Sequence, residues 1–173
     1  SCTEAAQEGK RVVPTAGYTV KTRNQGAAAA VEASGGIGMV EKKNDSDEGS
    51  KVYINICISD AIGAPKTVKR LDENGQEVEG LSIPVSVGEL RRAEDRGGKL
   101  CYVVDVIVSH QSFDEATSDE SGAAKDFLVQ LAIQYVENKY KLQLDRRYKL
   151  PRLKYKPGIG EAQAAEALGA EAP

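Results

Sequence analysis

The sequence predicts a mixed α/β domain of the α+β kind, with a central β-sheet, one long helix over about Ala123 to Tyr140 and a basic C-terminal extended segment. Three observations predict it. Val52, Ile54, Ile56 and Ile58 alternate with Tyr53, Asn55 and Cys57, the period-two pattern of a strand. Cys101 to Ser109 is β-branched and apolar on both faces except for Asp105, as in a central strand covered on both sides. From Ala123 to Tyr140, Phe127, Leu128, Leu131, Tyr135 and Val136 fall at spacings of three and four, with Ser121 as N-cap and Lys139 in the last turn.

The remaining elements are shorter. A helical turn is expected around Phe113 to Ala116, and Ser82 to Val87 reads as an extended piece whose Pro84 favours a sheet edge. Tyr18 to Lys21 and Tyr148 to Lys156 are further extended candidates. The stretch Asn24 to Ser50, rich in Gly, Ala, Ser and charge, has no apolar period to offset its ordering entropy and is expected to be a mobile insertion. Residues 1–13 and the Ala/Glu-rich tail Gly158 to Pro173 read as flexible, leaving one domain over residues 14–157. With no Trp, seven Tyr and two Phe, its core must be built from Val, Ile, Leu and Ala.

Composition narrows the function classes. No run approaches the roughly 18 apolar residues of a membrane span, and no basic-then-apolar leader opens the chain. Cys2, Cys57 and Cys101 form no CxxC pair, and the last two lie in apolar runs, so a reducing cytoplasm is expected. His110 is the only histidine, which leaves no HExxH, zinc cluster or Ser-His-Asp set; Gly35-Gly36-Ile37-Gly38 belongs to no P-loop or dinucleotide fingerprint. Neither a metal nor a cofactor is expected. Asp105, a carboxylate in a covered strand, must find a backbone or basic partner.

Charge is strongly polarised. The segment 138–156 holds eight Lys and Arg against Asp145, a local charge of +7 in a chain of net −3. Alternation would send Arg152, Lys154 and Lys156 to one side of an extended strand, either as an anion-binding face or as a solvated edge that discourages aggregation. An RNA-binding module, with Tyr140, Tyr148 and Tyr155 stacking bases among these cations, is the alternative from another class.

Six blocks in order resemble one known family: PTAGYTVKT (Pro14 to Thr22), KVYINICIS (Lys51 to Ser59), IPVSVGE (Ile83 to Glu89), CYVVDVIV (Cys101 to Val108), FLVQLAIQYVENKYKLQLD (Phe127 to Asp145) and LPRLKYK (Leu150 to Lys156). Together they resemble the PIH domain, named for interaction with the ninety-kilodalton heat-shock chaperone. The resemblance implies a non-enzymatic cochaperone adapter. Some members join AAA+ ATPase assemblies and the chaperone, through contacts that can lie outside this domain; others pre-assemble axonemal dynein arms in the cytoplasm, the branch that LPRLKYK favours. It further implies an acidic phosphoserine peptide as ligand, held at the matching positions by Lys21, Lys51 and Lys154, with Arg152 beside it; Arg91, Arg92, Arg96 and Lys99 are candidate secondary cations. Neither a membrane nor nucleic acid is implied as a partner. Asp45-Ser46-Asp47-Glu48, inside the insertion, has the acidic-serine form of such a ligand.

Overall fold

A computed structural model describes residues 13–25 and 50–161. Most of the insertion, the acidic serine segment within it, and residues 162–173 of the tail lie outside the described residues.

The strand patterns become a five-stranded mixed sheet. β1 (Thr15–Asn24) pairs antiparallel with β2 (Ser50–Ile58), and β2 runs parallel to β7 (Leu100–Val108). The far side of β7 carries two short antiparallel strands, β5 (Ser86–Val87) against its C-terminal half and β6 (Arg91–Glu94) against its N-terminal half. β7 is therefore flanked on both sides, as its apolar composition demands, and the SIPVSV segment supplies an edge strand. β3 (Lys66–Leu71) and β4 (Glu77–Ser82) form a separate antiparallel hairpin that the sequence patterns do not announce. Its turn is set by Asp72, whose Oδ1 accepts from Asn74 N and Gln76 N, and by Gly75 in the left-handed region (φ 77°).

Two helices cover one face. α1 (His110–Ser118) is longer than the single turn expected; Ser109 caps it by accepting from Ser112 N. α2 (Ala123–Tyr140) has the predicted span, but its cap differs from expectation. Gly122 occupies the N-cap position with φ 78°, while Asp119 accepts from Ala124 N and Ser121 from Ala123 N. The buried stripe also differs. Leu128, Val129, Ala132, Ile133 and Val136 are buried, whereas Phe127 and Tyr135 are 52% and 41% exposed. Ala132 and the β-branched Val129, Ile133 and Val136 dominate the face that meets the sheet, and the bulkier aromatic residues turn outward.

The main core lies between these helices and Val20, Val52, Ile54, Ile56, Val104, Val106 and Val108 of β1, β2 and β7. Gly17 permits a close approach of α1, because a Cβ there would meet Phe113 Cε2 at 2.5 Å and Ile56 O at 2.7 Å.

The chain after α2 decides what covers the other face. Lys141 ends the helix in the left-handed conformation (φ 56°) and turns the chain back along the outer edge of β1. Lys149 exchanges two 2.8 Å backbone hydrogen bonds with Lys21, and Leu153 O accepts from Thr19 N. The segment then crosses the sheet to the opposite edge, where Ile159 N donates to Arg92 O. This strap is not a continuous strand. Its pairing with β1 is confined to isolated bridges and single backbone bonds, and Leu153 N donates to Pro151 O in a tight turn centred on Arg152. The bend breaks the strict alternation expected for Arg152, Lys154 and Lys156: the first two are exposed, while Lys156 is half-buried against the sheet. Gly158 to Glu161, at the start of the expected tail, packs on β6, with Gly158 too near Arg92 O for a side chain to fit freely.

Candidate functional site

Strand register assembles the site. In the β1–β2 ladder, Lys21 lies opposite Tyr53 and Arg23 opposite Lys51, so the four side chains share one face and Lys21 is the diagonal neighbour of Lys51. The ladder stays in register up to Asn24 and Ser50, so the insertion leaves the hairpin without displacing either lysine. Lys149 joins Lys21 from the outer edge.

Cations thus gather at one corner of the face covered by the strap. Burial first, then the neighbouring charges of Lys51, Arg23 and Lys149, push the Lys21 ammonium below the ordinary lysine pKa, partly opposed by Asp95. A depression of about 270 Å³ opens beside them, lined by Lys21, Thr22, Arg23, Asp145, Arg147 and Lys149. Two carboxylates temper the corner. Lys51 Nζ donates to Asp95 Oδ2 at 2.8 Å, and Arg147 is paired with Asp145.

The strap brings a further cation over this floor. Lys156 Nζ sits 5.3 Å from the Tyr53 ring centroid and donates to Glu94 O at 2.6 Å. Asn55 fixes the backbone of Lys156: its Oδ1 accepts from Lys156 N and its Nδ2 donates to Lys156 O, both at 2.8 Å. The same amide accepts from Thr19 Oγ1 and donates to Asp105 Oδ1, so all its hydrogen-bonding capacity is used. Asp105 has the structural role expected of it, accepting also from Arg91 Nη2 at 3.2 Å and Tyr155 OH at 2.8 Å. Burial and the Asp105 carboxylate raise the Tyr155 phenol well above its ordinary pKa, which keeps it a donor.

The four residues named from sequence are therefore placed unequally. Lys21 and Lys51 are brought together. Arg152 lies on the strap between the anchors at Lys149 and Leu153, and Lys154 between those at Leu153 and Lys156, both exposed and without a hydrogen bond or ion pair among the described residues. Among the suggested secondary cations, Arg91 is committed to Asp105, Tyr155 and Glu161 beneath the strap, whereas Arg96 is exposed in the turn that carries Asp95. Arg23 and Lys149 carry no site signal of their own in the sequence, and Lys156 is marked there only by its alternation with Arg152 and Lys154. Their proximity follows from register and from the path of the strap, and only the basic run containing Lys149 and Lys156 hinted at it.

No group of three or more His, Cys, Asp or Glu among the described residues is arranged to hold a metal ion. Cys57 and Cys101 are buried free thiols, with burial pushing Cys57 up to about 12, so neither is set up as a nucleophile. What this corner offers chemically is a cluster of cations, two of which, Lys51 and Arg147, are already paired with carboxylates.

Comparison with known proteins agrees with the architecture. The family profile of the PIH1 N-terminal domain matches residues 37–166. PIH1 domain-containing protein 1 of Mus musculus is 35% identical over 122 residues, covering 68% of this chain and 40% of that protein. The Xenopus laevis protein of the same name is 29% identical over 112 residues, 62% of this chain and 37% of its own length. Protein kintoun of Chlamydomonas reinhardtii is 31% identical over 116 residues, 66% of this chain and 17% of the relative. The chain thus corresponds to about half or less of each of these relatives. Among solved structures, the N-terminal domain of yeast PIH1p superposes with a TM-score of 0.60 at 21% identity, covering 86% of this chain and 87% of that one. A profile match over most of the chain, together with the fold shared with a solved structure of that name, places the protein in the PIH1 N-terminal domain family.

Proposed function

We propose that this domain is a non-enzymatic adapter that binds acidic phosphoserine-containing peptides and so recruits clients for chaperone-assisted assembly in the cytoplasm. The observation that carries the reading is the adjacency of Lys21 and Lys51 on one face, across an insertion that could have separated them. A phosphoserine brings about −1.5 to −2 charges and three acceptor oxygens, which suit two or three converging ammonium groups. Lys21 and Lys51 take the phosphate in this reading, Arg152 and Lys154 reach it from the strap, and Lys149 and Lys156 are available to flanking Asp or Glu. At family level the same reading gives a cochaperone role with the heat-shock chaperone or an AAA+ ATPase assembly, through regions beyond this domain. Pre-assembly of axonemal dynein arms is the specific form that the kintoun relative favours. No described helix is long and apolar enough to cross a membrane.

The RNA-binding alternative gains nothing from the geometry. Tyr148 OH donates to Asp126, Tyr155 OH to Asp105 and Tyr140 OH to Gly88 O, so the three rings are half-buried against the protein rather than presented as stacking platforms.

The test is calorimetric titration of a phosphoserine peptide flanked by Asp and Glu, alongside its unphosphorylated form and a single-stranded RNA at two salt concentrations. Charge-assisted bonds of about 1.5–3 kcal/mol each lead us to expect at least a tenfold loss for Lys21→Glu or Lys51→Glu, and a smaller loss for Arg152→Glu or Lys154→Glu. Equal affinity for the phosphorylated and unphosphorylated peptides would overturn the proposal. Tight RNA binding with a steep salt slope that survives Lys51→Glu would support the alternative.

A further inference from the structure

The turns that close the β3–β4 and β6–β7 hairpins are built alike and differ in one ion pair. In the β3–β4 turn, Asp72 Oδ1 accepts from Asn74 N and Gln76 N; in the β6–β7 turn, Asp95 Oδ1 accepts from Gly97 N and Lys99 N. Each has a glycine in the left-handed region, Gly75 at φ 77° and Gly98 at φ 76°. The second carboxylate oxygen separates them. Asp95 Oδ2 accepts from Lys51 Nζ at 2.8 Å, whereas Asp72 has no ion pair among the described residues. Because the turn needs a single oxygen, the negative charge at position 95 is surplus to its geometry.

Asp95 is also the less mobile partner. Its side chain is 8% exposed and held by two backbone N–H groups, while Lys51 is 26% exposed on a flexible stem. We infer that Asp95 is a resident counter-ion of the anion site, competing with an incoming phosphate for Lys51 and thereby setting the affinity of the site. The inference rests on the reading of Lys51 as a phosphate ligand. An arriving phosphate has two courses. Either Lys51 leaves Asp95, which breaks the ion pair, or it keeps Asp95 and holds the phosphate one ammonium away from a fixed carboxylate. Both courses oppose binding. The hydrogen bond from Lys51, with those from the turn backbone, holds the Asp95 carboxyl down to about 2, so the competition is constant across physiological pH rather than switched by it.

Asp95→Asn removes the charge and keeps an oxygen for the two turn N–H groups; Asp95→Ser, whose hydroxyl also accepts from such a turn, serves if the amide disturbs folding. Two probes are titrated at fixed ionic strength: the acidic phosphoserine peptide and inorganic pyrophosphate. The proteins are the native chain, Asp95→Asn, Asp95→Asn with Lys51→Met, and Asp72→Asn. Removing one charge next to the ligand is expected to tighten binding of both probes about three- to tenfold. Lys51→Met should abolish that gain, and Asp72→Asn should bind as the native chain does. Unchanged or weaker binding by Asp95→Asn overturns the inference, as does a gain that persists without Lys51. If the native chain ignores the peptide while pyrophosphate binds more tightly to Asp95→Asn, the proposed ligand falls and the counter-ion stands. If neither probe binds either protein, both fall.

Discussion

The two faces of the central sheet are both covered, one by a wholly apolar core and the other by a small apolar cluster of Tyr53, Ala93, Cys101 and Val103 beside a polar network. Against the helices lie Val20, Ile54, Ile56, Val104 and Val106, each 0% exposed, meeting Val129, Ile133 and Val136 at the same exposure. Against the strap lie Thr19 and Asn55, also 0% exposed, with Asp105, Arg91 and Tyr155 linked to them or to one another. A helix satisfies its own backbone and asks of its neighbour only an apolar surface. An irregular strap brings unpaired N–H and C=O groups, so the sheet must answer with side chains that stand in for a neighbouring strand. Asn55 does so by bonding both backbone groups of Lys156. The helix face therefore supplies most of the apolar core, while the polar network on the strap face decides where the strap, and the cations on it, come to rest.

The sharpest way to break this contrast is to make matched changes on both faces. Ile133→Leu conserves volume among apolar neighbours and is expected to cost about 1 kcal/mol. Asn55→Leu is close to isosteric, yet it strands Lys156 N and O, the Thr19 hydroxyl and one bond of Asp105; the expected cost is about 3 to 4 kcal/mol. Urea unfolding measures both. Limited proteolysis should in addition show earlier cleavage in the strap of Asn55→Leu alone. Equal losses in the two variants would mean that the strap is held by shape rather than by the amide.

The same contrast explains what could be read from the sequence. β2 and α2 are legible because their apolar residues recur with a period, β7 because it is one β-branched apolar run, and Asp105 because a carboxylate in such a run must be paired. β1 was recognised only at Tyr18 to Lys21 and extends over Thr15–Asn24, since Lys21 and Arg23 face the strap side and interrupt the apolar alternation. α1 buries only Ser112 and Ala116, too little for a helical pattern to stand out beyond one turn. The β3–β4 hairpin has few buried side chains, although Asn74-Gly75 was a turn signal in plain view. Lys21 and Lys51 were found through family resemblance. Arg23 and Lys149 depend on pairings across the insertion or between residues more than a hundred positions apart, which no local period encodes; alternation marks Lys156 as a cation of the strap but not its seat over Tyr53 and Asn55.

A smaller change sharpens the comparison within hydroxyl chemistry. Tyr155 OH donates to Asp105 Oδ2 at 2.8 Å and accepts from Arg91 Nη2 at 3.0 Å on the strap face; Tyr140 OH accepts from Leu90 N at 3.0 Å and donates to Gly88 O on the helix side, bonding only neutral groups. Hydrogen bonds to charged groups exceed those between neutral ones, so Tyr155→Phe is expected to cost about 2 kcal/mol and Tyr140→Phe about 1 kcal/mol. Chemical denaturation of the pair measures the difference. The reverse order would place the greater polar stabilisation beside the helices and undo the contrast drawn between the faces.

The smallest expected effect concerns acid. Asp95 at the strap corner titrates at about 2 because of its bonds from Lys51, Lys99 and Gly97, and Asp119 at the start of α2 is lowered by Ala124 and Ser121. A carboxyl whose folded pKa is depressed stabilises the fold above its unfolded value, near 3.8, and that contribution is lost as pH falls toward the folded value. The Tm of the native chain should therefore decline between about pH 4 and pH 2. Asp95→Asn, which has no carboxyl to protonate, should flatten that limb, and Asp119→Asn should flatten it from the helix side. Because Asp95 already faces Lys51, its loss lowers Tm at neutral pH while leaving less to lose in acid. An acid limb parallel to that of the native chain would show that Lys51 does not hold this carboxylate in solution, and the counter-ion assigned to the anion site would go with it.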